Sequence, residues 1–378
     1  MDENVWLEIN LDNLGYNLNK VRGLVNPAVK VMAVIKQNAY GLGFLPAAKF
    51  LEKKRVDFLG VNNSSEAERL INNRIKTPIL ILSNTISSRG LKELVKNKVR
   101  FTLTEESLLN LLGKASLQAG RKALVHIKTD TGMGRLGIPV EKAVSFIEKA
   151  VSFKNICVEG LYSHFSSAES NPAYTLSQIK KFIKLTGRLR DKGINIPLRH
   201  ICNSSGAVNF PQAHFDMVRT GIILYGVKPG KKVDVVLKPV LSLKARVVYL
   251  KKIMKGAYVS YGNTFKASRD TEIGIISCGY AYGYPWNLSG KAEVIIKGRK
   301  YKVVGRVCMD HMMVDLTPSA GKVKLGDEAI LIGREGKSNI LAEDLAEKAG
   351  TIPYEILTGL SNISFRKYLD TQAKKSLV

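Results

Sequence analysis

Apolar positions along the first 225 or so residues come in two alternating textures. Short β-branched or apolar runs stand at residues 31–36, 58–61, 79–82, 100–103, 123–128, 157–163, 199–202 and 216–220. Between them lie longer stretches with apolar residues at helical spacing, such as 64–73, 105–119, 140–151 and 174–192. Unbroken apolar runs suit strands covered on both faces, and their alternation with amphipathic helices is the pattern of βα units around a parallel sheet. Eight such units in about 220 residues predict a (β/α)8 barrel. After the turn-rich segment 226–230 (GVKPG) the texture changes to alternating strands, expected at 241–250, 293–296, 301–304 and 312–316. One helix is expected at 342–348, with Gly350 in its C-terminal cap. The fold class is therefore α/β: an N-terminal TIM-type barrel over residues 10–230 and a C-terminal, mostly β domain over 231–378. Internal repeats and low-complexity segments are absent from the sequence, and the tail 372–378 is expected to fray.

Composition changes this picture little. The chain has 378 residues, 45% hydrophobic and 24% charged, as in ordinary globular proteins with a sizeable core. No apolar run approaches the 18 or so residues of a membrane span, and the opening MDENVWLEIN has no basic segment before an apolar one, so neither membrane insertion nor export is expected. Cys157, Cys202, Cys278 and Cys308 stand at least 30 residues apart, which suits neither a disulfide framework nor a zinc site and fits a cytoplasmic protein. The oddity is a net charge of +26, from 58 basic and 32 acidic residues. Its densest stretch, 228–255, holds nine basic residues and one acid, Asp234. They are spread between apolar residues with no nucleic-acid motif, so a solvated basic surface is expected and no nucleic-acid partner.

Candidate chemistry begins at Lys36, at the end of the first barrel run. Such a position faces the barrel mouth. Partial desolvation there can lower a lysine's pKa far enough for its amine to condense with an aldehyde. Position alone also allows an ordinary surface lysine. Lys128, His164, Asn203 and Arg219 each fall at or just past the end of a different expected strand, which sets them on the same face as Lys36. The turn from Arg219 to Ile222 contains Gly221, which lets backbone approach a ligand as a phosphate site requires.

The segment 34–43 (VIKQNAYGLG) closely resembles the cofactor-lysine motif of the alanine racemase family. Further segments look like that family in order along the chain: 128–137 (KTDTGMGRLG), His164-Phe165, Asn203-Ser204-Ser205, 219–226 (RTGIILYG), Ser260-Tyr261-Gly262, 305–310 (GRVCMD) and Pro353-Tyr354-Glu355. The resemblance implies pyridoxal 5'-phosphate bound through Lys36, with Tyr40, Ser204, Gly221, Ile222 and Tyr354 at its phosphate and Asn203 also at the cofactor. It sets Arg219 against the pyridine nitrogen, with His164 linking Arg219 to a tyrosine. It implies a two-base reaction between Lys36 and Tyr261, the latter supplied by a second subunit. Arg135 would meet the substrate carboxylate together with the partner's Met309, while Asp310 organises its loop. Lys128 matches a lysine that the family commonly carries carbamylated. A metal is not implied.

By the same resemblance the protein is a head-to-tail homodimer with shared active sites, and its first strand, residues 1–9, joins the C-terminal domain. The activity implied is interconversion of L- and D-alanine for peptidoglycan. Alternatives are a serine-preferring or broad-specificity racemase, or a pyridoxal phosphate carrier. The stretch 279–286 (GYAYGYPW) departs from the family, with Tyr282 replacing an acid and Trp286 a base; Glu169 stands where Asp is common. These changes touch the expected substrate entrance.

Overall fold

Eight parallel strands build the first half of the chain in the computed structural model, which describes residues 4–85, 87–230 and 234–370. The tail 372–378, and residue 231 where the sequence reading starts the second domain, lie outside the described residues. The strands neighbour one another in the order Met217–Thr220, Lys30–Val34, Phe58–Val61, Ile79–Ile81, Arg100–Leu103, Ala123–Asp130, Ile156–Tyr162 and Leu198–His200. The two end strands are drawn together by hydrogen bonds from Asp216 N–H to the Arg199 carbonyl and from Arg219 N–H to the Cys202 carbonyl, both 3.0 Å. The expected barrel is thus present.

Local chemistry explains where its helices start. Asn10, Asn63, Asn171 and Asn203 each accept a hydrogen bond from a backbone N–H of the first helical turn, before Leu11–Leu24, Ser64–Asn72, Pro172–Asp191 and Ser204–Asn209. Two features differ from the sequence reading. The first barrel strand ends at Val34, so Lys36 stands beyond it. The Ile156–Tyr162 strand carries a bulge: Val158 pairs with Val125 and Gly160 with His126, leaving Glu159 as an extra residue.

The second half forms a nine-stranded sheet that also takes in the early strand Val5–Asn10. Val5–Asn10 lies between Leu241–Ile253, to which it is antiparallel, and Arg366–Leu369, to which it is parallel. Leu241, Leu243, Ala245 and Val247 alternate into the core, as a half-buried strand requires. The helix Ala342–Ala349 ends in Gly350 at φ +70°. Beyond it, the helix Pro353–Gly359 turns back to the barrel mouth. There the Leu357 carbonyl packs so close to Gly41 that a Cβ would collide with it. Arg366 Nε donates to the Gly41 carbonyl (3.1 Å) and the Tyr368 hydroxyl to that of Leu42 (3.0 Å). Among the described residues, no helix is long and apolar enough to cross a membrane.

Candidate active site at the barrel mouth

Immediately after Lys36 the backbone does something costly. Gln37, Asn38, Ala39 and Tyr40 have φ of 53°, 56°, 52° and 56°, a left-handed turn of four residues without a glycine. Each such residue costs roughly 1–2 kcal/mol, so the turn needs support from outside. The Glu66 carboxylate accepts N–H bonds from Gln37 (2.8 Å) and Asn62 (2.6 Å), and Asn38 Oδ1 accepts one from Phe44 (2.8 Å). The C-terminal clamp on Gly41 and Leu42 completes the hold. Tyr40 is buried as a result, with its ring 4.8 Å from that of Tyr225 and 6.1 Å from that of Tyr354.

The Tyr40 hydroxyl lies against Gly221, where a Cβ would come within 2.5 Å of it. Close approach, not backbone conformation, is what requires glycine here, since φ is −125°. Gly221 N–H donates to Ser204 Oγ (3.1 Å), and Ser204 opens the helix capped by Asn203. Two hydroxyls and the amide end of the Ile222–Tyr225 turn therefore gather at one spot beside Gly221. Such a set of donors suits a small anion, phosphate above all.

Deeper in, Arg219 is almost wholly enclosed. Its guanidinium donates to the Ser163 carbonyl (2.7 Å), the Ile201 carbonyl (3.2 Å), His200 Nδ1 (2.8 Å) and His164 Nδ1 (3.0 Å). Burial lowers its pKa to about 10, which leaves it charged at neutral pH. Lys128 is also buried and sits 5.4 Å from the Tyr162 ring. Desolvation, then the charges of Arg219, Arg135 and Lys36, bring its pKa down to about 7 against a weak pull from Asp130. Burial and Arg135 lower Lys36, with Glu66 opposing.

Four basic side chains thus converge with two acids near them, and both acids are engaged elsewhere. Glu66 holds the left-handed turn, and Asp130 accepts the N–H groups of Gly132, Met133 and Gly134 at 2.7–2.8 Å, shaping the loop that carries Arg135. The mouth has donors and positive charge in excess. It fits a phosphorylated ligand and an anionic substrate.

Tyr261 and Met309 stand apart from this cluster. Tyr261 is 76% exposed and Met309 56% exposed. Tyr261 follows Ser260, held at φ +69° by the bond from its hydroxyl to the Arg306 carbonyl (2.8 Å). It lines a recess with Gly262, Tyr280, Trp286, Arg306, Val307 and Cys308, all from the β-domain, and the Arg306 guanidinium lies 4.5 Å over the Trp286 ring. Asp310, Ile352 and Glu169 are exposed. The structure therefore gathers Lys36, Tyr40, Lys128, His164, Ser204, Arg219 and Gly221 around one mouth, with Tyr354 at its rim. Sequence reasoning passed over His200, Tyr162, Tyr225 and Glu66. His200 lies in the run 199–202, and its place there was the available signal.

The comparisons agree across both halves. Residues 9–229 match the model of the alanine racemase N-terminal domain and 240–368 that of its C-terminal domain. The alanine racemase of Halothermothrix orenii is 40% identical over 366 residues, 96% of each chain; that of Clostridium perfringens is 41% identical over 363 residues, 95% of this chain and 93% of the relative. Among solved structures, alanine racemase of Clostridium difficile superposes with TM-score 0.91 at 35% identity, covering 98% of this chain and 97% of the other. The Bacillus anthracis enzyme with bound L-Ala-P gives 0.88 at 31%, covering 98% and 96%. With both domain models matched in order and near-complete coverage by relatives of 40% identity, the chain belongs to the alanine racemase family.

Proposed function

We propose that the protein is an alanine racemase that interconverts L- and D-alanine in the cytoplasm, as a homodimer, with pyridoxal 5'-phosphate as cofactor, supplying D-alanine for peptidoglycan. The observation that carries this reading is the pair of hydroxyls gathered at Gly221, those of Ser204 and of Tyr40 four residues past Lys36, backed by an excess of basic over acidic side chains. Lys36, Tyr40, Asn203, Ser204, Gly221, Ile222 and Tyr354 would hold the cofactor, with Arg219 against its ring nitrogen. When bound, pyridoxal phosphate supplies an electron sink that acidifies the α-hydrogen of an attached amino acid.

Lys36 would have a second task besides holding the cofactor. Its Nζ, partly desolvated, takes or returns the α-proton on one face. The partner subunit's Tyr261 serves the opposite face, its phenolic oxygen giving up and taking back a proton there. His164 supplies the means. A guanidinium only donates, so the bond from Arg219 to His164 Nδ1 leaves the imidazole hydrogen on Nε2, free to stabilise a phenolate. Arg219, a donor that keeps its protons, would leave the cofactor's ring nitrogen unprotonated, which would disfavour transamination.

Arg135 and the backbone amide of the partner subunit's Met309 receive the substrate carboxylate. With a pKa of about 7, Lys128 is substantially neutral at physiological pH, the form that takes up CO2. A carbamate there would set an anion among Arg219, Arg135 and Lys36. Tyr354 and Tyr261 confine the side chain to a methyl; the relative solved with L-Ala-P supports the same size. The test is direct. The purified protein, with and without added cofactor, is incubated with single enantiomers of alanine, serine and lysine, and loss of optical purity is followed. Alanine should racemise fastest and only with cofactor; comparable kcat/KM for lysine would refute the assignment.

A further inference from the structure

Arg219 has no carboxylate partner among its direct contacts: two are carbonyls and two are imidazoles. One of those imidazoles starts a chain. His200 Nε2 lies 2.8 Å from His126 Nδ1, His126 Nε2 lies 3.2 Å from Glu159 Oε2, and Glu159 is gripped by Arg100 at 2.7 and 3.0 Å. Both histidines are fully buried in the barrel interior. Glu159 and Arg100, at the start of its strand, lie toward the end of the barrel away from Lys36.

The hydrogens along this chain follow from one constraint. A guanidinium is a donor only, so His200 Nδ1 accepts, and a neutral imidazole then carries its hydrogen on Nε2. His126 Nδ1 must accept that hydrogen bond, which puts the His126 hydrogen on Nε2, directed at Glu159. Every donor therefore points the same way, from Arg219 to the carboxylate. Burial lowers the pKa of both histidines, so each stays neutral; burial opposes Glu159, but hydrogen bonds from His126 and Arg100 hold it at about 2.

Two backbone features serve this chain. The bulge in Ile156–Tyr162 falls on Glu159, and bulges re-aim a side chain. Gly160 follows it, and a Cβ there would collide with the His126 ring.

We infer that Glu159 and His126 are positioning residues that act through His200 on Arg219, supplying the buried guanidinium with a remote counter-charge and fixing which of its N–H groups face the reaction. The inference rests on the reading of Arg219 given above. Neutron diffraction from a deuterated crystal tests it in the unaltered protein. Hydrogens should appear on Nε2 of His126 and His200 and on neither Nδ1; a hydrogen on Nδ1 of either would overturn it. Glu159→Gln tests the charge, because the amide oxygen can still accept from His126. In that variant kcat should fall about tenfold with KM within about twofold, as for an interaction that matters in the transition state more than in substrate binding. The absorption band of the bound cofactor should shift as well. Unchanged kcat and unchanged absorption in a folded Glu159→Gln protein would overturn the inference. Absence of racemase activity in the unaltered protein would refute the reading of Arg219, whereas the hydrogen positions judge the relay separately.

Discussion

The barrel mouth and the β-domain recess carry chemistry in opposite ways. At the mouth, Lys128 and Arg219 are buried, and Arg219 is bonded to His164, His200 and two carbonyls. In the recess, Tyr261 and Met309 face outward, and neighbouring β-domain residues alone line the space around Tyr261. The first arrangement is held in place by contacts within one chain. The second is open to solvent, which accords with the proposal that it works against another copy's mouth.

The largest effect should come from removing one base on either side. Lys36→Ala and Tyr261→Phe should each lower kcat by roughly 10²–10⁴-fold in pure homodimers, measured as racemisation of either enantiomer. Mixing the two variants then tests whether the regions belong to different chains. In a hybrid dimer one site carries both defects and the other neither; equal random mixing makes about half the dimers hybrid, so activity should return to about a quarter of that of the unaltered protein. No recovery, with subunit exchange demonstrated, would place both bases in one chain.

Within the mouth, Gly221→Ala should loosen cofactor binding by about tenfold or more. Its Cβ meets the Tyr40 hydroxyl, and overpacking of that kind costs about 1–3 kcal/mol. Spectroscopic titration of the cofactor-free protein reads this, and an unchanged Kd would show that the cradle can give way. Lys128→Met probes the preorganised charge through stability. The folded-state pKa of Lys128 is about 7 against an ordinary 10.5, so between those values the unfolded chain binds more protons. Stability therefore rises with pH across that window, and the penalty of burying the cation is fully present below it. In CO2-free buffer the variant should melt above the unaltered protein at pH 6.5, with the gap closing toward pH 10. A variant that melts lower at both pH values would contradict this.

The smallest effect belongs to the exposed recess. Trp286→Arg removes the ring stacked beneath Arg306, and exposed charge pairs are worth about 0–1 kcal/mol, so KM should move by less than about threefold and in a salt-dependent way.

The barrel was legible because its strands are buried on both faces and announce themselves as short apolar runs. Strand ends likewise pointed to side chains that do converge, Lys36 with Lys128, His164 and Arg219. What stayed hidden depends on tertiary support. No propensity favours four left-handed residues at 37–40; Glu66 and the clamp from Arg366 and Tyr368 impose them, from 29 and over 300 residues away. The bulge at Glu159 breaks the alternation by which a strand's facing side is counted, so neither its carboxylate nor His126 could be assigned to the interior chain from periodicity.

The position of Val5–Asn10 in the middle of the C-terminal sheet has a consequence for how the protein is made. Both its neighbours, Leu241–Ile253 and Arg366–Leu369, are synthesised more than 200 residues after that strand. At about 5–20 residues per second, it waits roughly ten to fifty seconds for the first of them. For that time an apolar segment of Val5, Trp6, Leu7 and Ile9 has two unpaired edges, which is the hazard of any open strand. Glu8 is the charge within it, later bonded to Lys244 at 2.9 Å. Replacing Glu8 with a neutral residue should therefore lower the yield of soluble nascent chain by more than it lowers the melting point of protein that has already folded.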